Sequence, residues 1–240
     1  IFMLTRNDRT VVDCLEVLES IATLGLKHIG FKDVGVPTKT LKALTTAIKD
    51  MGATSYLEVV SETPEACLNS ARVGGELGID CLLGGTAAVE ILNILKGTRT
   101  LYYPFPGKPS GHPTKLGGTP ADIEADCRKF LDAGCAGVDL LAYRATDADP
   151  LELVKAARRG LGTNRLIVAG SIASRNRIRD IAEAGADAFT IGSAVRDEDG
   201  PRFAERLTRA LTLYEPDVTA VQLNLLDSHD TPRFLSMVGG

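Results

Sequence analysis

The feature that most restricts this chain is an alternation repeated eight times. Short runs rich in Val, Ile, Leu and aromatic residues trade places with longer stretches whose apolar residues recur at helical spacing. The runs are IFMLT (1–5), HIGFKD (28–33), SYLEVVS (55–61), CLLGGT (81–86), LYYPFPG (101–107), GVDLLAY (137–143), LIVAGSI (166–172) and AFTIGSAV (188–195). Several of the intervening stretches end on a Gly just before the next run, as in ELGID, DAGCAG and EAGAD. A Gly there predicts a left-handed helix C-cap that turns the chain toward the next strand. Such alternation builds parallel sheets, and eight units within 240 residues suit a closed barrel, whose typical size is about 250 residues. An open doubly wound sheet should carry a glycine-rich phosphate turn after its first strand, but here that strand runs into TRND. The expected fold is therefore α/β, a (β/α)8 TIM barrel over residues 1–213. A C-terminal extension over 214–240 lies beyond the eighth helix.

Composition narrows the function classes. With 44% hydrophobic and 24% charged residues the chain reads as globular, and at this size it needs no disulfide or metal staple. Its five cysteines are scattered without a CxxC pair, which predicts reduced, mostly buried thiols and a cytoplasmic setting. A net charge of −4 with no basic run argues against nucleic acid as a partner. No apolar run approaches the roughly 18 residues of a membrane span, and no signal peptide opens the chain. The opening IFMLT already reads as strand, as it would if upstream residues had been removed. His28, His112 and His229 stand in unrelated places, so no metal is expected. No nicotinamide or flavin fingerprint follows a strand, so no cofactor is expected either.

In a (β/α)8 barrel the working face lies at the carboxyl ends of the strands. Charged residues embedded in apolar strand runs should point into the barrel, because side chains alternate. Lys32, Glu58 and Asp139 meet that condition and are the candidate catalytic residues. Lys32 and Glu58 fall on neighbouring strands, where they can move a proton, attack a carbonyl as an amine, or form a structural ion pair without chemistry. Asp139 can instead anchor a backbone turn. Asp33, next to Lys32, should face away and serve structure. Arg6, Thr86, His112 and Arg144 are candidate substrate contacts near strand ends, with Thr5, Lys108 and Tyr143 close by. The Pro- and Gly-rich stretch 104–118 reads as a long loop, either a lid carrying Lys108 and His112 or a solvated surface segment.

Two short phrases carry the clearest ligand signal. VAGSIAS ends the seventh run and IGSAV the eighth, placing Gly170, Ser171 and Ile172 opposite Gly192, Ser193 and Ala194. Gly permits close backbone approach, Ser adds a hydroxyl, and the following helix N-termini add amides, a combination suited to phosphate. Here the chain resembles the phosphate-binding barrel enzymes, the group that includes histidine- and tryptophan-biosynthesis isomerases and ribulose-phosphate epimerases. The resemblance implies that these two loops hold a substrate phosphate and that the partner is a phosphorylated small molecule.

The end of the chain points elsewhere. LNLLDSHDTPRFL (223–235) resembles the fourth conserved region of the alpha-amylase family, in its neopullulanase-like branch. That resemblance implies sugar contacts for His229 and Asp230. Glycoside hydrolysis needs two further carboxylates, and the family's Arg two positions before its nucleophile is missing ahead of Asp139. A recombined or grafted tail is the expectation, and its apolar VQLNLL would need cover, association with another copy being one source. Three functions follow: an isomerase, epimerase or lyase acting on a phosphorylated metabolite, a chimeric scaffold that binds phosphate without turnover, or an alpha-amylase-family fragment.

Overall fold

A computed structural model of the chain describes residues 1–59, 63–111, 113–172 and 175–191. Eight short parallel strands run through it: β1 (Phe2–Met3), β2 (His28–Lys32), β3 (Thr54–Glu58), β4 (Cys81–Leu83), β5 (Leu101–Tyr103), β6 (Gly137–Leu140), β7 (Arg165–Val168) and β8 (Ala188–Phe189). They pair in sequence order as a five-stranded and a three-stranded sheet. Hydrogen bonds join the two sheets at both seams. Ala136 N donates to Tyr102 O at 3.0 Å and Asp139 N to Pro104 O at 2.9 Å, linking β5 to β6. Across the other seam Met3 N donates to Ile191 O at 2.7 Å and Ile191 N to Ile1 O at 3.1 Å. Among the described residues the result is the eight-stranded barrel of the predicted TIM-barrel fold.

The helices between strands are α1 (Cys14–Ser20), α2 (Thr38–Asp50), α3 (Pro64–Leu77), α4 (Ala88–Leu95), α5 (Pro120–Ala133), α6 (Pro150–Leu161) and α7 (Arg175–Glu183). Three of them start on the same chemistry, an oxygen-bearing cap followed by Pro. Thr63, Thr119 and Asp149 each accept a backbone N–H of the first turn, and Thr119 forms a full capping box with Asp122. At the far ends of α3 and α5, Gly78 and Gly134 adopt the expected left-handed cap.

Two apolar layers follow from strand alternation. The outer faces of the strands, with Ile29, Phe31, Leu57, Leu82, Tyr102, Val138, Leu140, Leu166 and Val168, pack against helix residues such as Leu41, Ile48 and Leu153. The inner faces form a separate cluster of Ile1, Met3, Tyr56, Cys81, Leu83, Tyr103 and Ile167. Gly30 leaves space for Met3, since a Cβ there would lie 2.3 Å from the Met3 sulfur. The barrel is thus plugged with apolar side chains below its carboxyl end, a low-dielectric floor for whatever stands above it.

The five cysteines are all buried free thiols, as expected. Among the described residues no helix is long and apolar enough to cross a membrane, and no cluster of three or more His, Cys, Asp or Glu has the arrangement of a metal site. Strand ends differ from the sequence reading: β3 stops at Glu58, and β5 at Tyr103. The stretch 104–118 is not plain loop, for Lys108–Ser110 and Lys115–Gly117 pair as an antiparallel hairpin. The first strand likewise continues into a hairpin, Thr5–Arg6 with Arg9–Thr10. The eighth helix and the division at 213/214 lie outside the described residues.

Candidate active site

Lys32, Glu58 and Asp139 come together on the inner face at the carboxyl end of the barrel. Lys32 stands two residues beyond Gly30 and Glu58 two beyond Tyr56, so both rise directly above the apolar plug. Lys32 pairs in register with Glu58, and its ammonium donates to Glu58 Oε1 at 3.1 Å. Asp139 lies in register with Ile167 of the plug. The three are 5%, 7% and 0% exposed, so their charges act on each other with little screening by water.

Asp139 is the anomaly. Both carboxyl oxygens are buried and neither has a hydrogen-bond partner. It therefore anchors no turn, which corrects that alternative. Burial, and next the charge of Glu58, push its carboxyl well above the usual carboxylate range, against the opposing pull of Lys32 and Arg144. Lys32 is raised as well, but by its partners. Burial alone would lower it, but Glu58 and Asp8 outweigh that and raise it above the ordinary lysine value. A lysine so held stays an ammonium, which favours charge stabilisation over attack as an amine.

Asp8, which sequence reasoning missed, completes the cluster. It occupies the two-residue turn of the first hairpin, where Asn7 and Asp8 both adopt positive φ (49° and 57°), a conformation their residue types tolerate. Its Oδ1 accepts from Lys32 Nζ at 2.8 Å and from Arg144 Nη2 at 3.1 Å, while Arg144 Nη1 reaches Oδ2 at 3.3 Å. Burial raises the Asp8 carboxyl, yet Lys32 and Arg144 together bring it down to about 2. The hairpin base is fixed by Thr10, whose hydroxyl accepts from Lys32 N at 2.8 Å and donates to Lys32 O at 2.7 Å. Thr10→Val keeps the shape but strands two backbone groups of Lys32, so a loss of about 1–3 kcal/mol is expected in urea denaturation.

Arg144 is no solvated rim residue. It joins the loops after four different strands, bonding Asp8, donating to Thr114 O at 3.4 Å, and lying against Gly170. A Cβ at Gly170 would sit 2.4 Å from Arg144 Nε, and the residue also needs its φ of 78°. The glycine of the AGS phrase thus makes room for a guanidinium stem. A cleft of about 510 Å³ opens beside this arginine, lined among others by Asp8, Lys115, Tyr143, Arg144 and Ser171. Lys32, Glu58 and Asp139 do not line it. Lys32 reaches it only through Asp8, to which it is bonded.

The other sequence candidates divide. Ser171 faces the cleft, whereas the Ile172 side chain is buried in the outer apolar layer. Arg6 points to solvent from the hairpin. Thr86 lines a smaller cavity of about 180 Å³ together with Cys67, Gly85, Ser110 and Thr114, which none of Lys32, Glu58, Asp139 or Arg144 lines. Thr5 is buried, Lys108 is exposed, and the Tyr143 ring carries the Arg177 guanidinium 4.6 Å from its centroid. Asp33 accepts from the Ser70 hydroxyl on α3, the structural role expected of it. His112, Gly192, Ser193, Ala194, His229 and Asp230 lie outside the described residues.

No protein-family model matches the sequence, and no curated protein matches it. Solved structures do. The native KDPGal structure aligns with TM-score 0.60 at 12% identity, over 85% of this chain and 88% of that one. Orotidine 5′-phosphate decarboxylase from Pyrococcus horikoshii OT3 aligns with TM-score 0.58 at 11% identity, over 85% and 96%. A cube-shaped, highly porous protein cage, designed by fusing symmetric oligomeric domains, aligns with TM-score 0.61 at 11% identity, over 99% and 72%. The likeness is one of fold. It supports the barrel assignment and leaves the chemistry to the residues at its mouth.

Proposed function

We propose that this chain is a barrel enzyme acting on a small phosphorylated metabolite by acid–base chemistry, as an isomerase, epimerase or lyase. The observation that carries this reading is Asp139, a carboxyl with two unpartnered buried oxygens beside the Lys32–Glu58 pair, at the end of the barrel where such folds work. A purely structural network would satisfy its own polar atoms. In the proposed chemistry Asp139, kept protonated, donates to a substrate oxygen. Glu58 accepts a proton from the adjacent carbon, and the Lys32 ammonium stabilises the negative charge that develops between them. Isomerisation, epimerisation and carbon–carbon cleavage next to a carbonyl all pass through that enolate-like charge. The neighbour named as an orotidine 5′-phosphate decarboxylase gives a precedent for this fold with a phosphate ester.

The phosphate is assigned to the cleft that Arg144 and Ser171 line, whose volume suits a small metabolite. Binding to the folded state alone raises stability by mass action. Inorganic phosphate or a simple phosphate ester at about 100 times its Kd should add about 2.7 kcal/mol, read as a higher melting temperature. Arg144→Gln should reduce that rise by more than half. A melting temperature indifferent to every phosphate tested would remove the phosphorylated substrate from the reading.

A further inference from the structure

The charged cluster is electrically closed on itself. Lys32 and Arg144 supply two positive charges, and Asp8 and Glu58 answer them with two negative ones. Asp139, buried with neither oxygen hydrogen-bonded, forms no ion pair of its own among the described residues. An anion entering the cleft therefore meets an arginine whose fork already holds a carboxylate. That carboxylate is lent by the tip of a hairpin. Its base is pinned by Thr10 to the backbone of Lys32, whereas Asp8 at the tip bonds the mouth through its carboxyl oxygens, and its neighbours Arg6 and Arg9 are exposed. The slot between Lys32 and Arg144 has the geometry of a carboxylate site: a planar fork with two contacts, at 3.1 and 3.3 Å, and an ammonium 2.8 Å from the shared oxygen.

Resting on the phosphorylated-metabolite reading, we infer that Asp8 occupies a carboxylate subsite of the substrate. The substrate class is then a phosphate ester that also bears a carboxylate next to its reacting carbon. On binding, that carboxylate takes the place of Asp8 between Arg144 and Lys32, and the phosphate remains in the cleft on the Ser171 side. The exchange preserves the charge balance of the buried cluster, since one carboxylate replaces another. It also places the reacting carbon beside Lys32, Glu58 and Asp139, which do not line the cleft themselves.

Two probes separate this inference from the reading beneath it: 2-phosphoglycolate, which carries both groups, and methyl phosphate, which carries one. Calorimetric titration of the full chain should show both binding, phosphoglycolate the tighter. Asp8→Asn suits the test because Asn tolerates the left-handed turn, so the variant should keep its fold. It should tighten phosphoglycolate by about tenfold or more and methyl phosphate by at least about threefold less than that. Arg144→Gln should abolish the difference between the probes. In the unaltered protein, NMR titration of the Asp8 carboxyl should show it leaving its value of about 2 and moving toward the ordinary range when phosphoglycolate binds. The inference is overturned if Asp8→Asn weakens phosphoglycolate or leaves it unchanged, if both probes tighten equally, or if Asp8 does not respond. Should neither probe bind either protein, the phosphorylated-substrate reading falls with it.

Discussion

Replacing Lys32 by Met should destabilise the folded chain by about 3–5 kcal/mol, the range expected when one partner of a buried ion pair is removed. The side chain is 6% exposed and lies between two carboxylates, at 2.8 Å from Asp8 and 3.1 Å from Glu58. Asp8 retains Arg144 after the change. Glu58, however, is left above an apolar plug, with Asp139 as its acidic neighbour and its ion-pair partner gone. The energy lost is therefore mainly the cost of an uncompensated buried carboxylate, more than the attraction of the pair itself. That distinction is testable. Removing both members, Lys32→Met with Glu58→Leu, should recover most of the lost stability, because apolar side chains of similar volume commonly replace a buried pair at little cost. Urea denaturation would show the single variant with a lower midpoint and an unchanged slope. A loss below about 1 kcal/mol would mean that Lys32 contributes no more than a surface pair does, and the cluster would lose its claim to a dry environment.

The same residues show what could be read before the structure. Lys32, Glu58 and Asp139 were legible because a charge inside a run of Val, Ile and Leu has one place to go in a barrel strand, and period-two alternation supplies the face. Arg144 was visible only as a residue near a strand end. Its partner Asp8 lies 136 positions away in sequence, and the two meet only because the barrel closes on itself. No local pattern encodes that. The Asp8 hairpin did leave a trace, since Asn7–Asp8 sits symmetrically between Arg6 and Arg9 and between Thr5 and Thr10, and Asn and Asp are residues that accept left-handed turns. Noted only as the point where the first strand lacks a glycine-rich turn, TRND hid it. The hairpin within 104–118 was masked by Pro109 and Pro113, which argue against regular pairing even though Pro109 holds a ladder position opposite Leu116. Gly170 was expected to let the backbone approach an anion; the group that lies against it here is Arg144. Space can be inferred from a glycine; the occupant cannot.

Asp139→Asn should lower turnover by about 10² to 10⁴, the usual contribution of a positioned general acid, while raising stability at neutral pH. The sign follows from linkage. Burial, then Glu58, raise the folded-state carboxyl above its unfolded value, so the folded chain binds the proton more tightly than the unfolded chain does. The stability associated with that proton is fully present below the unfolded value near 3.9. It is lost as pH rises from there through the raised folded value. Native Asp139 therefore makes the protein progressively less stable along that stretch, and the amide, which has no proton to lose there, should remove the slope. Unfolding free energies measured from pH 4 to 8 should fall more steeply for the native chain than for the variant, with the variant the more stable at the upper end. Other carboxylates contribute in both proteins and cancel in the comparison. Asp8 is an opposing case, since its carboxyl is held at about 2 and its stabilisation vanishes only in stronger acid. A structural role for Asp139 predicts the reverse at pH 7, a less stable variant, because an ionised carboxylate there would have been paired. Greater stability together with lost turnover is the combination expected of a residue kept in place for chemistry at a cost to the fold.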